Sequence, residues 1–98
     1  MDFSGFDWDG GNHAKCQKHG VPIVVIERMF LAGVTVFPDP THSQTEERYL
    51  AIGESEEGRG VFVAFTLRRR DGAFFIRPIS ARYMHKKEAE HYAQTRKS

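Results

Sequence analysis

The sequence is poor in the features that mark several classes of small protein. It has one cysteine, Cys16, so no intramolecular disulfide can staple the chain, and the framework of small secreted domains is excluded. No apolar run approaches the roughly 18 residues of a membrane span. The acidic start around Asp2, Asp7 and Asp9 lacks the positive charge of a signal peptide. These absences point to a soluble, unanchored chain in the cytoplasm. Paired CxxC, HExxH and EF-hand patterns are missing, and Gly10-Gly11-Asn12 is too short to cradle a phosphate. The five histidines do not fill the gap. On a helix, His13, Cys16 and His19 advance by about 300° per step, which leaves His13 and His19 roughly 120° apart. We therefore expect no metal and no cofactor, and we read Cys16 as a small packed side chain.

What is present is a core and an uneven charge. The chain has 98 residues, 40% of them hydrophobic, with eight Phe, three Tyr and one Trp. That is too much large apolar surface for a disordered chain, and the length suits one domain over residues 1–98. The net charge of +1 hides a split. Residues 1–67 carry five Lys and Arg against ten Asp and Glu, whereas residues 68–98 carry nine against three. A basic end of this kind suits a polyanion, and nucleic acid is the commonest in the cytoplasm. The competing reading is that Arg68, Arg69, Arg70, Lys86 and Lys87 only solvate a hairpin and a helix.

Local patterns give an order of elements. Residues 3–8 carry aromatics and end at Asp9-Gly10-Gly11, which reads as a short strand and a turn. A short polar helix over 12–19 follows, with Asp9 as its cap and Gly20 as its stop. Pro22 opens a second helix in which Val25, Ile26, Met29 and Phe30 form one apolar stripe, and Gly33 closes it. Residues 34–37 make a brief strand stopped by Pro38-Asp39-Pro40, and residues 41–47 a polar loop. Residues 48–53 alternate, with Arg48 at the strand's edge. Residues 61–67 are nearly continuously apolar, as in a central strand covered on both faces. Asp71-Gly72 joins this run to residues 73–81 as a hairpin, and a last helix begins after Tyr83. The order β-α-α-β-β-β-β-α implies an α+β fold with a mostly antiparallel sheet.

Three groups carry candidate chemistry. Lys15, Lys18 and His19 lie near the end of the first helix, where the cations hold a phosphate and the imidazole shuttles a proton, or where all three merely complement the helix dipole. His42 stands in a polar loop ahead of Glu46, Glu47 and Arg48, a set able to supply base, acid and phosphate clamp. It reads equally as a solvated loop with a surface ion pair. Arg59, Arg77 and Arg82 form the third. Arg77 sits in an apolar stretch, where an unpaired guanidinium is costly, so it should meet an acid such as Glu47 or reach the sheet edge.

The segments Phe6-Asp7-Trp8-Asp9, Lys18-His19-Gly20-Val21, Asp39-Pro40-Thr41-His42-Ser43, Glu46-Glu47-Arg48-Tyr49, Ile52-Gly53, Gly58-Arg59 and Ile76-Arg77-Pro78-Ile79-Ser80-Ala81-Arg82 occur in one order. That order resembles the BrnT toxins of type II toxin–antitoxin systems, over about residues 6–92. Gly10-Gly11-Asn12 and Cys16 depart from the more polar first helix of many such toxins. The resemblance implies a RelE-like fold, a small twisted sheet with helices packed against it. It also implies a ribonuclease that cleaves RNA without metal, the ribose 2′-hydroxyl attacking the adjacent phosphate.

Carried over by position, Lys18, His19, Glu47, Arg48, Arg77 and Arg82 are the implied catalytic set. His19 or Glu47 is the proton acceptor, Arg48 and Arg77 are phosphate clamps, and Arg82 is a transition-state or substrate contact. Lys15, His42, Arg59 and Ser80 are implied substrate contacts. The implied partners are RNA and a BrnA-like ribbon-helix-helix antitoxin, with operator DNA reached only through that antitoxin and no membrane. The alternative is a non-catalytic nucleic-acid or protein binding module of the same fold. A metal-dependent hydrolase is a third reading, disfavoured by the ligand spacing.

Overall fold

The computed structural model describes residues 2–39 and 46–97, except for the side chains of residue 93 and residues 95–97. The chain enters through a two-residue strand, β1 (Gly5–Phe6), and turns at Asp9 into α1 (Gly10–Gln17). Asp9 has an extended backbone, its carboxylate accepts from the Asn12 N–H at 3.0 Å, and Asn12 Oδ1 accepts the Asp9 N–H at 2.7 Å. This is a capping box in which Asn replaces the usual Glu or Gln. Asn12 is buried, and its Nδ2 donates to the carbonyls of Asp7 at 2.9 Å and Pro78 at 2.8 Å. One amide side chain thus caps α1 and ties it to a strand 66 residues away.

Gly20, at φ +77°, turns the chain after α1 in a conformation that costs other residues a steric penalty. Pro22 precedes α2 (Ile23–Ala32), whose Ile26, Met29 and Phe30 face the core. Strands β2 (Thr35–Pro38), β3 (Tyr49–Glu54), β4 (Gly60–Arg70) and β5 (Ala73–Tyr83) follow, and α3 (Lys86–Lys97) closes the chain. The β4–β5 hairpin turns at Asp71 and Gly72, both with positive φ, as a tight two-residue turn requires.

The described residues form one sheet in the order β1-β5-β4-β3-β2. All neighbours are antiparallel except β1 with β5, a parallel pair limited to Gly5 opposite Phe75 and Phe6 opposite Ile76. The element order and α+β class agree with the sequence reading. The first strand is shorter than residues 3–8, and its parallel pairing is not legible from local pattern. Between Ala64 and Phe65 the register slips: Ala64 faces Ser80 and Phe65 faces Pro78, so Ile79 is the extra residue of a bulge.

Helices α1 and α2 cover one face. Cys16, Val21, Ile26, Met29 and Phe30 pack there on Ala51, Val61, Val63, Phe65, Ile76 and Ala81. Phe65, fully buried, stands edge-on to Phe30 at 5.2 Å and stacks with Tyr49 at 5.5 Å. The opposite face is only partly covered, so β4 alternates between buried Val61, Val63 and Phe65 and half-buried Phe62 and Ala64. It is not sheathed on both sides as its apolar run suggested. On this second face, pairing aligns Thr35, Ile52, Phe62 and Arg82 in a row across the sheet. Helix α3 is tied to both ends of that row, by Glu88 to Arg82 and by the Tyr92 hydroxyl to Thr35 at 3.2 Å. Among the described residues no helix is long and apolar enough to cross a membrane.

Candidate functional site

The second face carries two constellations on either side of the β5 bulge. The row next to the one spanned by α3 comprises Phe37, Leu50, Ala64 and Ser80. Ala64 and Ser80 are small, while their neighbours Phe62 and Arg82 are large, so the surface sinks between them. The recess has a volume of about 270 Å³ and is lined by His19, Leu50, Phe62, Ala64, Ser80, Ala81 and Arg82. His19 arrives from the turn after α1, a helix that packs along β5. The Arg82 guanidinium lies 4.5 Å over the Phe62 ring and donates to both oxygens of Glu88, at 2.9 and 3.0 Å. Those bonds, with a further one from the His85 N–H, hold the Glu88 carboxyl down at about 2. The same carboxylate raises Arg82 above the ordinary arginine value.

Beyond the bulge the face is crowded with arginine. Asp7 Oδ2 lies 3.2 Å from Arg70, 3.6 Å from Arg77 and 3.9 Å from Arg68. Arg68 also pairs with Glu46, and Arg77 reaches Asp9 at 2.7 Å. The Asp9 carboxyl is lowered first by the Asn12 N–H and then by Arg77. Arg48 directly precedes β3, its carbonyl accepting the Asp39 N–H at 2.9 Å. Extended by one residue, the pairing of Tyr49 with Phe65 sets Arg48 opposite Thr66, which is itself paired with Arg77. Arg48, Thr66 and Arg77 therefore share a row.

The structure brings His19, Ser80 and Arg82 together at the recess. Arg77 stands five residues from Arg82 on one strand, roughly 16 Å in extended backbone, and turns to Asp7 and Asp9 rather than to Glu47 as expected. Glu47 instead accepts from the Tyr49 hydroxyl at 2.7 Å, which raises the Tyr49 phenol. Because Tyr49 stacks on Phe65, Glu47 is drawn toward the helix-covered side, away from the Arg48 row. Lys15 and Lys18 are exposed at the end of α1, and Arg59 lies 3.7 Å over the Tyr83 ring. His42 falls outside the described residues. Cys16 is buried, and desolvation pushes its thiol up to about 11, the environment of an inert side chain. Among the described residues no three His, Cys, Asp or Glu side chains gather in a way that could hold a metal ion.

Asp7, Asp9, Phe62, Ala64 and Glu88 belong to these constellations although the candidate groups above omit them. Asp7 and Asp9 lie inside the first resembling segment, which was the available signal. Phe62 and Ala64 acquire meaning only through the register of β4 against β5.

A family model described as the ribonuclease toxin, BrnT, of type II toxin–antitoxin systems matches residues 8–88. The chain belongs to the BrnT family. The match runs from Trp8 to Glu88 and so takes in the recess, the bulge, Arg48, Arg77 and the first turn of α3. The BrnT family is one of ribonuclease toxins, and its type II setting implies an RNA substrate and an antitoxin partner. No curated protein matches the chain.

Proposed function

We propose that this BrnT-family toxin is a cytoplasmic endoribonuclease that cleaves RNA without a metal ion, and so blocks translation and growth. The observation that carries this reading is the recess holding His19, Ser80 and Arg82 beside a band of arginines on one half-covered sheet face. In the proposed step the ribose 2′-oxygen attacks the adjacent phosphorus, its proton passes to His19, and the 5′-oxygen leaves with a proton from solvent or a nearby acid. The products are a 2′,3′-cyclic phosphate and a 5′-hydroxyl. The nucleophile is already tethered to its target, so the protein need only orient it, accept a proton and offset charge on the phosphorane. Arg48 and Arg77 act as phosphate clamps, with Arg77 preorganised by Asp7 and Asp9. Arg82 and Ser80 contact substrate. Lys15, Lys18, Arg59 and His42 extend the contact along the RNA, and Glu47, held by Tyr49 on the other side, takes no part in the proton transfer.

A BrnA-like ribbon-helix-helix antitoxin is the proposed partner, presenting acids to this face and linking the toxin to operator DNA. The alternative, a binding module that breaks no bond, is favoured by the pairing of Arg77 and Arg82 with carboxylates. Incubation of the purified chain with single-stranded RNA and chelator separates the readings. Cyclic-phosphate ends are expected, and Arg48→Ala or Arg77→Ala should slow cleavage by about 10² to 10³. Abolition by chelator would overturn the metal-free step. Full activity in both variants would remove the clamp roles, and folded protein that cuts no RNA would leave the binding module.

A further inference from the structure

The recess has a second use besides holding reacting groups. We infer that it is a subsite for one unpaired nucleobase of the RNA. This rests on the reading that the chain acts on RNA, though not on whether it cuts it.

Size, polarity and shape agree. At about 270 Å³ the recess lies just below the ~300–1,000 Å³ range of pockets for drug-sized ligands. Its floor is apolar, formed by Leu50, Ala64 and Phe62. Arg82 supplies a wall with a planar head group, and the paired bonds to Glu88 hold that group over Phe62. A guanidinium held 4.5 Å over an aromatic ring offers a surface on which a base can stack, and stacking of unpaired bases is a common basis of single-strand RNA recognition. Besides Arg82, the polar groups of the lining are the exposed Ser80 hydroxyl, which can meet the edge of a base, and the His19 imidazole, which is left to the ribose 2′-hydroxyl.

A phosphate suits this place poorly. Arg82 commits both terminal nitrogens to Glu88 and the floor offers no donor, whereas Arg68, Arg70 and Arg77, though paired with Asp9 and Glu46, share one Asp7 oxygen among three guanidinium groups and keep N–H donors to spare. The two constellations therefore divide the substrate, base in the recess and backbone on the arginine band. A base paired within a duplex cannot enter, so the subsite selects single-stranded RNA.

The test uses 2′-O-methyl RNA oligomers, which cannot be cleaved by 2′-hydroxyl attack, and a parallel set with one abasic position moved along the strand. At one position, loss of the base should weaken binding to the wild-type chain by about tenfold, within the range for one stacked base. A 2-aminopurine at that position should be quenched on binding. Ala64→Leu, which fills the recess, should weaken the base-bearing oligomer by a similar factor and leave the abasic oligomer unaffected. Equal weakening of both oligomers, or of neither, overturns the subsite. If Ala64→Leu does not fold, the abasic scan and quenching on the wild-type chain decide alone, and absence of any base-dependent position overturns the inference. Base-dependent binding alongside failure to cut unmodified RNA would sink the nuclease reading and leave the subsite standing.

Discussion

Asn12 ties α1, the helix that leads to His19, onto β5, and its replacement should be costly. It is 4% exposed, and its side chain makes three hydrogen bonds, one from the Asp9 N–H and two to the carbonyls of Asp7 and Pro78. Asn12→Ala removes all three and leaves the main-chain groups short of partners in a dry setting. At a net ~0.5–1.5 kcal/mol per bond, the loss should be about 2–4 kcal/mol. That is a large fraction of the ~5–15 kcal/mol typical of whole domains. In urea, with m of ~1–3 kcal/mol/M, the midpoint should fall by about 2 M with m unchanged. Asn12→Asp is a sharper variant, because it has the same shape and still accepts from Asp9. At neutral pH it turns a carboxylate oxygen toward two carbonyls, so it should be at least as destabilising as alanine. A loss below about 1 kcal/mol in both variants, or an aspartate variant as stable as the parent, would refute the assignment of these bonds.

Other outcomes follow from the same packing. Phe65→Ala should cost ~3–5 kcal/mol in chemical denaturation, since the ring is fully buried between Phe30 and Tyr49; a change under 1 kcal/mol would contradict its central place. Glu88 is depressed from an ordinary value of 4.5 to about 2 in the folded chain, so its contribution is complete above the ordinary value and lost as pH falls through this window. Melting curves should show Glu88→Gln less stable than wild type at pH 7, with the gap closing between about pH 4.5 and 2. A gap that is constant with pH would deny the pairing with Arg82.

The elements that could be read from the sequence are those set by neighbours. Asp71-Gly72 needs positive φ in both residues, Asp9 caps a helix by accepting the N–H three residues ahead, and the stripe of Ile26, Met29 and Phe30 depends only on helical period. Asn12 carries no local signal of its role, because its partner is Pro78, distant along the chain. Arg77 shows the same limit. Its need for a carboxylate was evident from the apolar context, yet Asp7 and Asp9 reach it because β1 runs parallel to β5, and no local pattern encodes that pairing. Likewise, Ala64 and Ser80 look like unremarkable strand residues until the bulge at Ile79 sets them side by side.

The two margins of the sheet are short or obstructed. β1 pairs over only two residues, and past it the border of β5 is met by α1, with Asn12 occupying the Pro78 carbonyl. At the other margin β2 spans four residues and ends in Pro38, which has no N–H to offer. Exposed strands of full length recruit copies of themselves into ribbons and fibrils. A chain built this way offers little free edge on which such growth could start.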